Sequence, residues 1–253
     1  MKIGVLGLGL IGGSIFKNLS GQGFDVIGIS SSQAGKNITS DWSELKSCEV
    51  VFVCTPMNSC LETLDKLEEI LPSETIVTDV CSLKSFVCKK ARSFKFIPSH
   101  PMAGTEHKGF ENSFPELFSG AKWVLTPVFG NDGIDILTDL IHKMGAETLI
   151  TTPDKHDEAA ALISHMPLVI AQALYMTASD NELALKMASS GFRDMTRLAL
   201  SNEEMAVDMF SMNSQNIETA ILQLYKSVGE LTHGDYPKLT KAIKDKRKTL
   251  FNK

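Results

Sequence analysis

The chain has no run of apolar residues approaching the roughly 20 that a membrane-crossing helix requires, so no membrane partner is expected. It has no basic excess: 25 Lys and Arg stand against 30 Asp and Glu, a net charge of −5, with a pI near 5.7. Nucleic-acid binders carry a basic surface, so that partner is not expected either. Cysteine is sparse and shows no metal-binding pattern. Cys48, Cys54, Cys60, Cys81 and Cys88 are odd in number, none forms a Cys-x2-Cys pair, and most lie in or beside apolar runs. They read as reduced, buried small hydrophobes, with neither a metal site nor a disulfide framework. Met1 opens almost directly into a strand pattern, so no leader peptide is expected and the expected location is cytoplasmic.

What the chain does have is alternation. Strand-like runs at residues 2–6, 24–29, 50–54, 75–80, 95–98 and 122–126 are interleaved with helical spacing at 11–19, 61–71 and 134–144. A last strand at 146–151 would close the sheet. This pattern predicts an α/β domain over residues 1–153, with a parallel sheet and crossover helices. Residues 154–253 show no strand pattern and predict an all-helical domain. Its first long apolar helix should run from about His156 to Ala178, kinked at Pro167. This half is rich in Met, Ala and Leu and is expected to bury part of its surface against a twin subunit, giving a homodimer through the C-terminal helices. The lysine-rich last 18 residues read as a solvated helix end rather than an anion site.

The run Gly7-Leu8-Gly9-Leu10-Ile11-Gly12 follows the first strand pattern and opens the first helix, the context in which G-x-G-x-x-G binds a dinucleotide. Gly7 allows a tight turn, Gly9 lets the backbone approach the pyrophosphate, and Gly12 lets helix and strand pack closely. Leu10 and Ile11 then lie at a helix N-terminus, which attracts negative charge. Thr55 and Pro56, ending the strand at 50–54, are assigned to the same cofactor site. An NAD enzyme would place an acid at the end of the second strand, on the ribose hydroxyls. This chain has Ser30, Ser31, Ser32 and Gln33 there, three hydroxyls able to donate to a 2′-phosphate and no acid to repel it. NADP is therefore expected over NAD. An arginine for that phosphate is absent, with Lys36 within reach.

A second run, Ser99-His100-Pro101-Met102-Ala103-Gly104-Thr105-Glu106, places one histidine in what reads as a glycine-containing loop. A neutral imidazole can accept a proton from an alcohol. Base and hydride acceptor together are the minimum equipment for oxidising one. Ser82 follows the strand at 75–80, at the sheet end where ligands bind, and either faces the same substrate oxygen or caps a helix starting at Leu83. His165 is either a ligand contact or a satisfied core histidine on the long helix. Arg193 and Arg197 lie four apart and share a helical face, so Asp194 can pair with one and leave the other for a carboxylate.

These stretches carry a resemblance to the arogenate/prephenate dehydrogenase family of tyrosine biosynthesis, over nearly the whole chain. It rests on GLGLIGGS near the N-terminus, Cys81-Ser82-Leu83-Lys84, HPMAGTE, His156-Asp157 with Ser164-His165-Met166-Pro167, and GFRDMTR. Cys81 stands where the family usually has Gly, and Met166 replaces a common Leu; neither change removes a polar group. The serine-rich loop and compact length resemble the cyanobacterial-type, NADP-preferring arogenate enzymes. The resemblance implies a Rossmann domain joined to a helical dimerisation domain and a small-molecule cyclohexadienol substrate. His100 and Ser82 would be catalytic, with Arg197, Arg193, His165 and Thr105 binding substrate. The implied reaction is NADP-dependent oxidative decarboxylation of L-arogenate to L-tyrosine, with prephenate giving 4-hydroxyphenylpyruvate as the alternative. Asp157 stands, by position, as an acid that would favour the arogenate amine. The competing readings are a β-hydroxyacid dehydrogenase, which would rely on a lysine from the helical half, and a non-catalytic NADP sensor.

Overall fold

The computed structural model describes residues 1–105 and 107–251. Glu106, which closes the HPMAGTE run, and Asn252 and Lys253, at the end of the helical half, lie outside the described residues. Six strands form one parallel sheet: β1 (Lys2–Leu6), β2 (Asp25–Ile29), β3 (Ile38–Thr39), β4 (Val50–Val53), β5 (Ile76–Asp79) and β6 (Lys95–Phe96), in the order β3-β2-β1-β4-β5-β6. Val50, Val51, Phe52 and Val53 are fully buried, as parallel strands covered on both faces require. Helix α1 (Leu10–Gly21) crosses from β1 to β2, and α2 (Met57–Glu68) crosses from β4 to β5. Strand order reverses between β1 and β4, which opens a crevice at the carboxyl ends of those strands.

The expected closing strand belongs elsewhere. β7 (Ser99–Pro101), β8 (Lys122–Leu125) and β9 (Glu147–Ile150) form a separate three-stranded sheet, with β7 antiparallel and β9 parallel to β8. Helix α3 (Ile134–Lys143) precedes β9. Pro98 explains the switch. Ile97 still donates to Val77 O at 2.9 Å, but proline has no N–H to extend that ladder, and its carbonyl accepts instead from Thr126 N, also at 2.9 Å. His100 is consequently a strand residue opposite Val124, not a loop residue. Trp123 ties the two sheets together by packing on Phe52 and Phe118 while its indole N–H donates to Ser99 Oγ at 2.9 Å.

The helix expected from Leu83 does not form, so Ser82 caps nothing there. A single 3-10 turn appears at Val87–Lys89, because the N–H groups of Lys84 and Ser85 are drawn to the Asp157 carboxylate.

Beyond β9 every element is helical. Helix α4 (Pro153–Ala160), a π turn (Ala161–His165) and α5 (Met166–Ser179) form one continuous run of 27 residues. The kink expected at Pro167 is absorbed by the π turn. Met166 N bonds Ala161 O, five residues back, and this shift of register clears the carbonyl that proline cannot bond. The run reaches a mean hydropathy of 1.5, so by length and composition one helix does meet the membrane-crossing criterion, contrary to the expectation from the sequence. Charged residues in α4 and Pro167 hid it there. In the fold this helix places His156, Asp157 and His165, all buried, in one polar cluster with the nucleotide-binding half. Helices α6 (Glu182–Lys186), α7 (Ser190–Thr196), α8 (Glu203–Met212), α9 (Ser214–His233) and α10 (Tyr236–Phe251) complete the described residues.

Candidate active site

The glycine loop has the geometry of a dinucleotide cradle. Gly7 takes a φ of +94°, and a Cβ there would lie 2.8 Å from Cys54 O. A Cβ on Gly12 would lie 1.9 Å from Gly7 O, whereas one on Gly9 would meet nothing within 4 Å. Tight turn, open approach and close packing thus fall on Gly7, Gly9 and Gly12 in the order a pyrophosphate requires. Gly9 is the N-cap of α1 with no side-chain cap, so N–H groups of the first turn, at Leu10 and Ile11, are left for an anion. Thr55, at the end of β4 beside Gly7, has a buried Oγ1 with no hydrogen-bond partner among the described residues, and Pro56 caps α2. An orphaned hydroxyl beside the glycine loop fits a bound nicotinamide dinucleotide. At the end of β2, Ser30 Oγ accepts from Ser32 N at 3.3 Å and from Gln33 N at 3.0 Å, bracing the loop. Ser31, Ser32 and Lys36 are exposed.

His100 stands just past β6, at the same carboxyl end of the sheet. Its Nδ1 lies 2.9 Å from His156 Nε2, and His156 Nδ1 lies 2.7 Å from Asp157 Oδ1. Asp157 also accepts from Lys84 N at 2.8 Å and Ser85 N at 2.9 Å. Burial alone would raise the Asp157 pKa, but the hydrogen bonds from His156, Ser85 and Lys84 outweigh it and hold the carboxyl below its usual range. As a carboxylate Asp157 only accepts, so His156 carries its proton on Nδ1 and presents a lone pair at Nε2. His100 then donates from Nδ1 and keeps its own Nε2 lone pair free. Burial pushes the His100 pKa well below the usual imidazole value, with His156, Lys84 and His165 adding to the effect and Asp157 opposing it. The ring is therefore neutral at neutral pH, and the residue as a whole is half-buried.

A second buried network supports this strand. Lys84 is fully buried; its ammonium pairs with Asp79 and donates to Ser99 O at 2.5 Å. Asp79 also accepts from Ser99 N at 3.2 Å and Cys81 N at 2.9 Å. The ion pair thus fixes the backbone immediately before His100 and the loop that carries Ser82.

His165 sits in the π turn. Its Nδ1 lies 3.1 Å from Asn213 Nδ2, which also donates to Asp157 O at 2.9 Å, while Asn213 Oδ1 accepts from Asn216 at 2.8 Å. The amide orientation is therefore fixed, and a neutral His165 carries its proton on Nε2 as a donor. Burial pushes its pKa down to about 4.

The other expected site residues fall outside this cluster. Ser82 is half-buried on the loop between Asp79 and Lys84 and makes no hydrogen bond among the described residues. Thr105 is exposed, its hydroxyl accepting from His107 N at 3.2 Å. Arg193 is exposed and pairs with Asp194 at 3.5 Å, which leaves Arg197, exposed at the start of the 3-10 turn Arg197–Leu200. Asp157 has different work from the amine recognition expected of it, since its carboxylate is fully engaged by His156 and two backbone N–H groups. Sequence reasoning gave His156 no role beyond its motif and missed Lys84 and Asn213. His156-Asp157 was visible as a dipeptide, whereas nothing local marks Asn213, 56 residues from the backbone carbonyl it bonds.

Fold and cleft together define a class: a nicotinamide-dependent dehydrogenase built from a Rossmann nucleotide-binding domain and a helical domain. The model of a family described as prephenate dehydrogenase, nucleotide-binding domain, matches residues 28–150, and that of its dimerization domain matches 152–245. The chain belongs to the prephenate dehydrogenase family. It is 32% identical to a prephenate dehydrogenase of Bacillus subtilis over 236 residues, 83% of this chain and 64% of that protein, so it spans less than two thirds of that relative. Among solved structures, Synechocystis arogenate dehydrogenase matches with a TM-score of 0.82 and 30% identity, over 98% of each chain. Prephenate dehydrogenase from Aquifex aeolicus, in complex with hydroxyphenyl propionate and NAD+, matches with a TM-score of 0.87 and 27% identity, over 99% of this chain and 98% of that one.

Proposed function

We propose that the protein is an arogenate dehydrogenase, converting L-arogenate to L-tyrosine and CO2 with NADP as hydride acceptor. The observation that carries this reading is His100, held neutral with a free Nε2 lone pair at the sheet end where the glycine loop opens. When bound, the nicotinamide supplies the carbon that accepts hydride. His100 Nε2 takes the proton of the ring hydroxyl as hydride leaves the same carbon. Loss of the ring carboxylate as CO2 then makes the ring aromatic, and the phenolic oxygen takes back a proton from His100. Ser82, with its hydroxyl available, orients the substrate oxygen. Arg197 holds a substrate carboxylate with Arg193 assisting, His165 donates from Nε2 to the substrate, and Thr105 closes the far side.

NADP is favoured by the exposed hydroxyls of Ser31 and Ser32, the exposed Lys36 and the absence of an acid at the end of β2. The likeness to the Synechocystis enzyme over 98% of both chains supports arogenate. Likeness to the Bacillus and Aquifex prephenate dehydrogenases favours prephenate as the second reading, with 4-hydroxyphenylpyruvate as product. We take residues 1–153 as the nucleotide-binding domain and 154–253 as the substrate-binding and dimerisation domain of a cytoplasmic homodimer. The test is a four-way comparison of kcat/KM, arogenate or prephenate with NADP or NAD. Arogenate with NADP should be highest; a tenfold preference for NAD or for prephenate contradicts the assignment.

A further inference from the structure

We propose that the proton taken from the substrate is relayed through the His100 ring to His156, where the Asp157 carboxylate stabilises it. This rests on the reading of His100 as the base and adds where the proton is held. The three groups lie in a line of two hydrogen bonds, 2.9 Å and 2.7 Å long, running from the cleft to a buried carboxylate.

The proton balance of the reaction calls for such a store. The substrate oxygen loses a proton as hydride leaves, and the same oxygen needs one back when loss of CO2 turns the ring into a phenol. The base must therefore accept and then return a proton without losing it to water. His100 alone is a poor acceptor, since burial disfavours its imidazolium form and the Lys84 ammonium and His165 add to that. His156 touches a carboxylate; His100 does not. In the forward step a bond forms between the substrate proton and His100 Nε2. The His100 Nδ1–H bond breaks, and its proton bonds His156 Nε2. His156 becomes an imidazolium whose Nδ1–H remains on Asp157, and His100 is neutral again with its proton on Nε2. The reverse shift delivers a proton from Nε2 to the phenolic oxygen. The groups facing the pair are Lys84 from the loop after β5, His165 from the π turn and Asp157 from α4. Asp157 alone among them favours the cation.

The same geometry sets the pH dependence. A proton resting on His156 Nε2 turns the bond around and forces His100 into the Nε2–H tautomer, which cannot act as a base. Activity is therefore present above the apparent pKa of the pair and lost as pH falls through it. Removing His156 leaves the acid limb to His100 alone, whose pKa burial depresses.

The test uses the His156→Gln variant, whose amide oxygen can accept from His100 but cannot take its proton. The relay predicts a fall in kcat/KM of about a hundredfold, an acid limb displaced to lower pH, and nucleotide binding unchanged. Full activity with an unmoved acid limb overturns the relay. The His100→Asn variant separates the two readings: if it too keeps wild-type turnover, the base assignment itself fails. Nitrogen-15 NMR of the wild-type protein labelled at histidine decides independently of any variant's folding. His100 and His156 should both be Nδ1–H tautomers near neutral pH; an Nε2–H tautomer at His100 contradicts the proposal.

Discussion

Asp157 receives hydrogen bonds from the backbone N–H groups of Lys84 and Ser85, on the nucleotide-binding side, and from His156 on its own helix. Its backbone carbonyl accepts from Asn213, which holds His165 with its other N–H. One residue thus sets the rings of both histidines, and it sets them oppositely: His100 is left with a free acceptor, His165 with a free donor. Replacing Asn213 with Leu removes the bond that selects the His165 tautomer. The KM for the cyclohexadienol should rise about tenfold, the value of one or two hydrogen bonds, with the nucleotide KM unchanged. Steady-state kinetics check this, and an unaltered substrate KM contradicts the donor role. His100 and His165 were legible in the sequence as single residues in motifs. Their tautomers were not, because each depends on a partner brought from a distant part of the chain.

The elements divide in the same way. β1, α1, β2 and β4 follow from local apolar runs and turn glycines, and the sequence marks them within a residue or two. β7 and the π turn do not follow, and a proline is the reason in both cases. Pro98 reads as the last residue of the strand at 95–98, yet it moves the chain from one sheet to another. Pro167 looks like a kink, yet a one-residue shift of hydrogen-bond register keeps the helix continuous and puts His165 in the turn. The glycine loop yields a prediction specific to its geometry. Gly12→Ala must displace the Gly7 carbonyl and should lower Tm by about 5 °C as well as abolish nucleotide binding. Gly9→Ala has open space around the added methyl, so Tm should hold within about 1 °C while the nucleotide KM rises at least about tenfold. Thermal unfolding and kinetics of the two variants check both; an unchanged Tm for Gly12→Ala contradicts the packing argument.

Across the whole molecule the apolar surface is distributed unevenly. The nucleotide-binding half holds two large clusters, one around Phe52 and Trp123 and one around Leu64 and Leu67 that Leu168 and Met209 of the helical half join. The helical half leaves Met176, Met187, Leu200 and Tyr225 at least 70% exposed, and its small core centres on Ala161, Ile217 and Ala220. A single chain does not cover that surface, and a twin copy of the same helices would. Sedimentation velocity at micromolar concentration should give twice the chain mass of 27.6 kDa; a stable monomer contradicts the homodimer. The sequence indicated this half's helical class and its excess of Met and Leu, while the pattern of exposure emerges only once the helices are packed.

The central claim is that His100 is the base of an NADP-dependent oxidative decarboxylation. Its most direct test is to incubate the wild type and the His100→Asn variant with arogenate and NADP and to quantify tyrosine and NADPH together. The wild type should form the two in equal amounts, and the variant should form both at least about a thousandfold more slowly while binding NADP as before. Equal rates in the two proteins, or NADPH formed without tyrosine, would contradict the account.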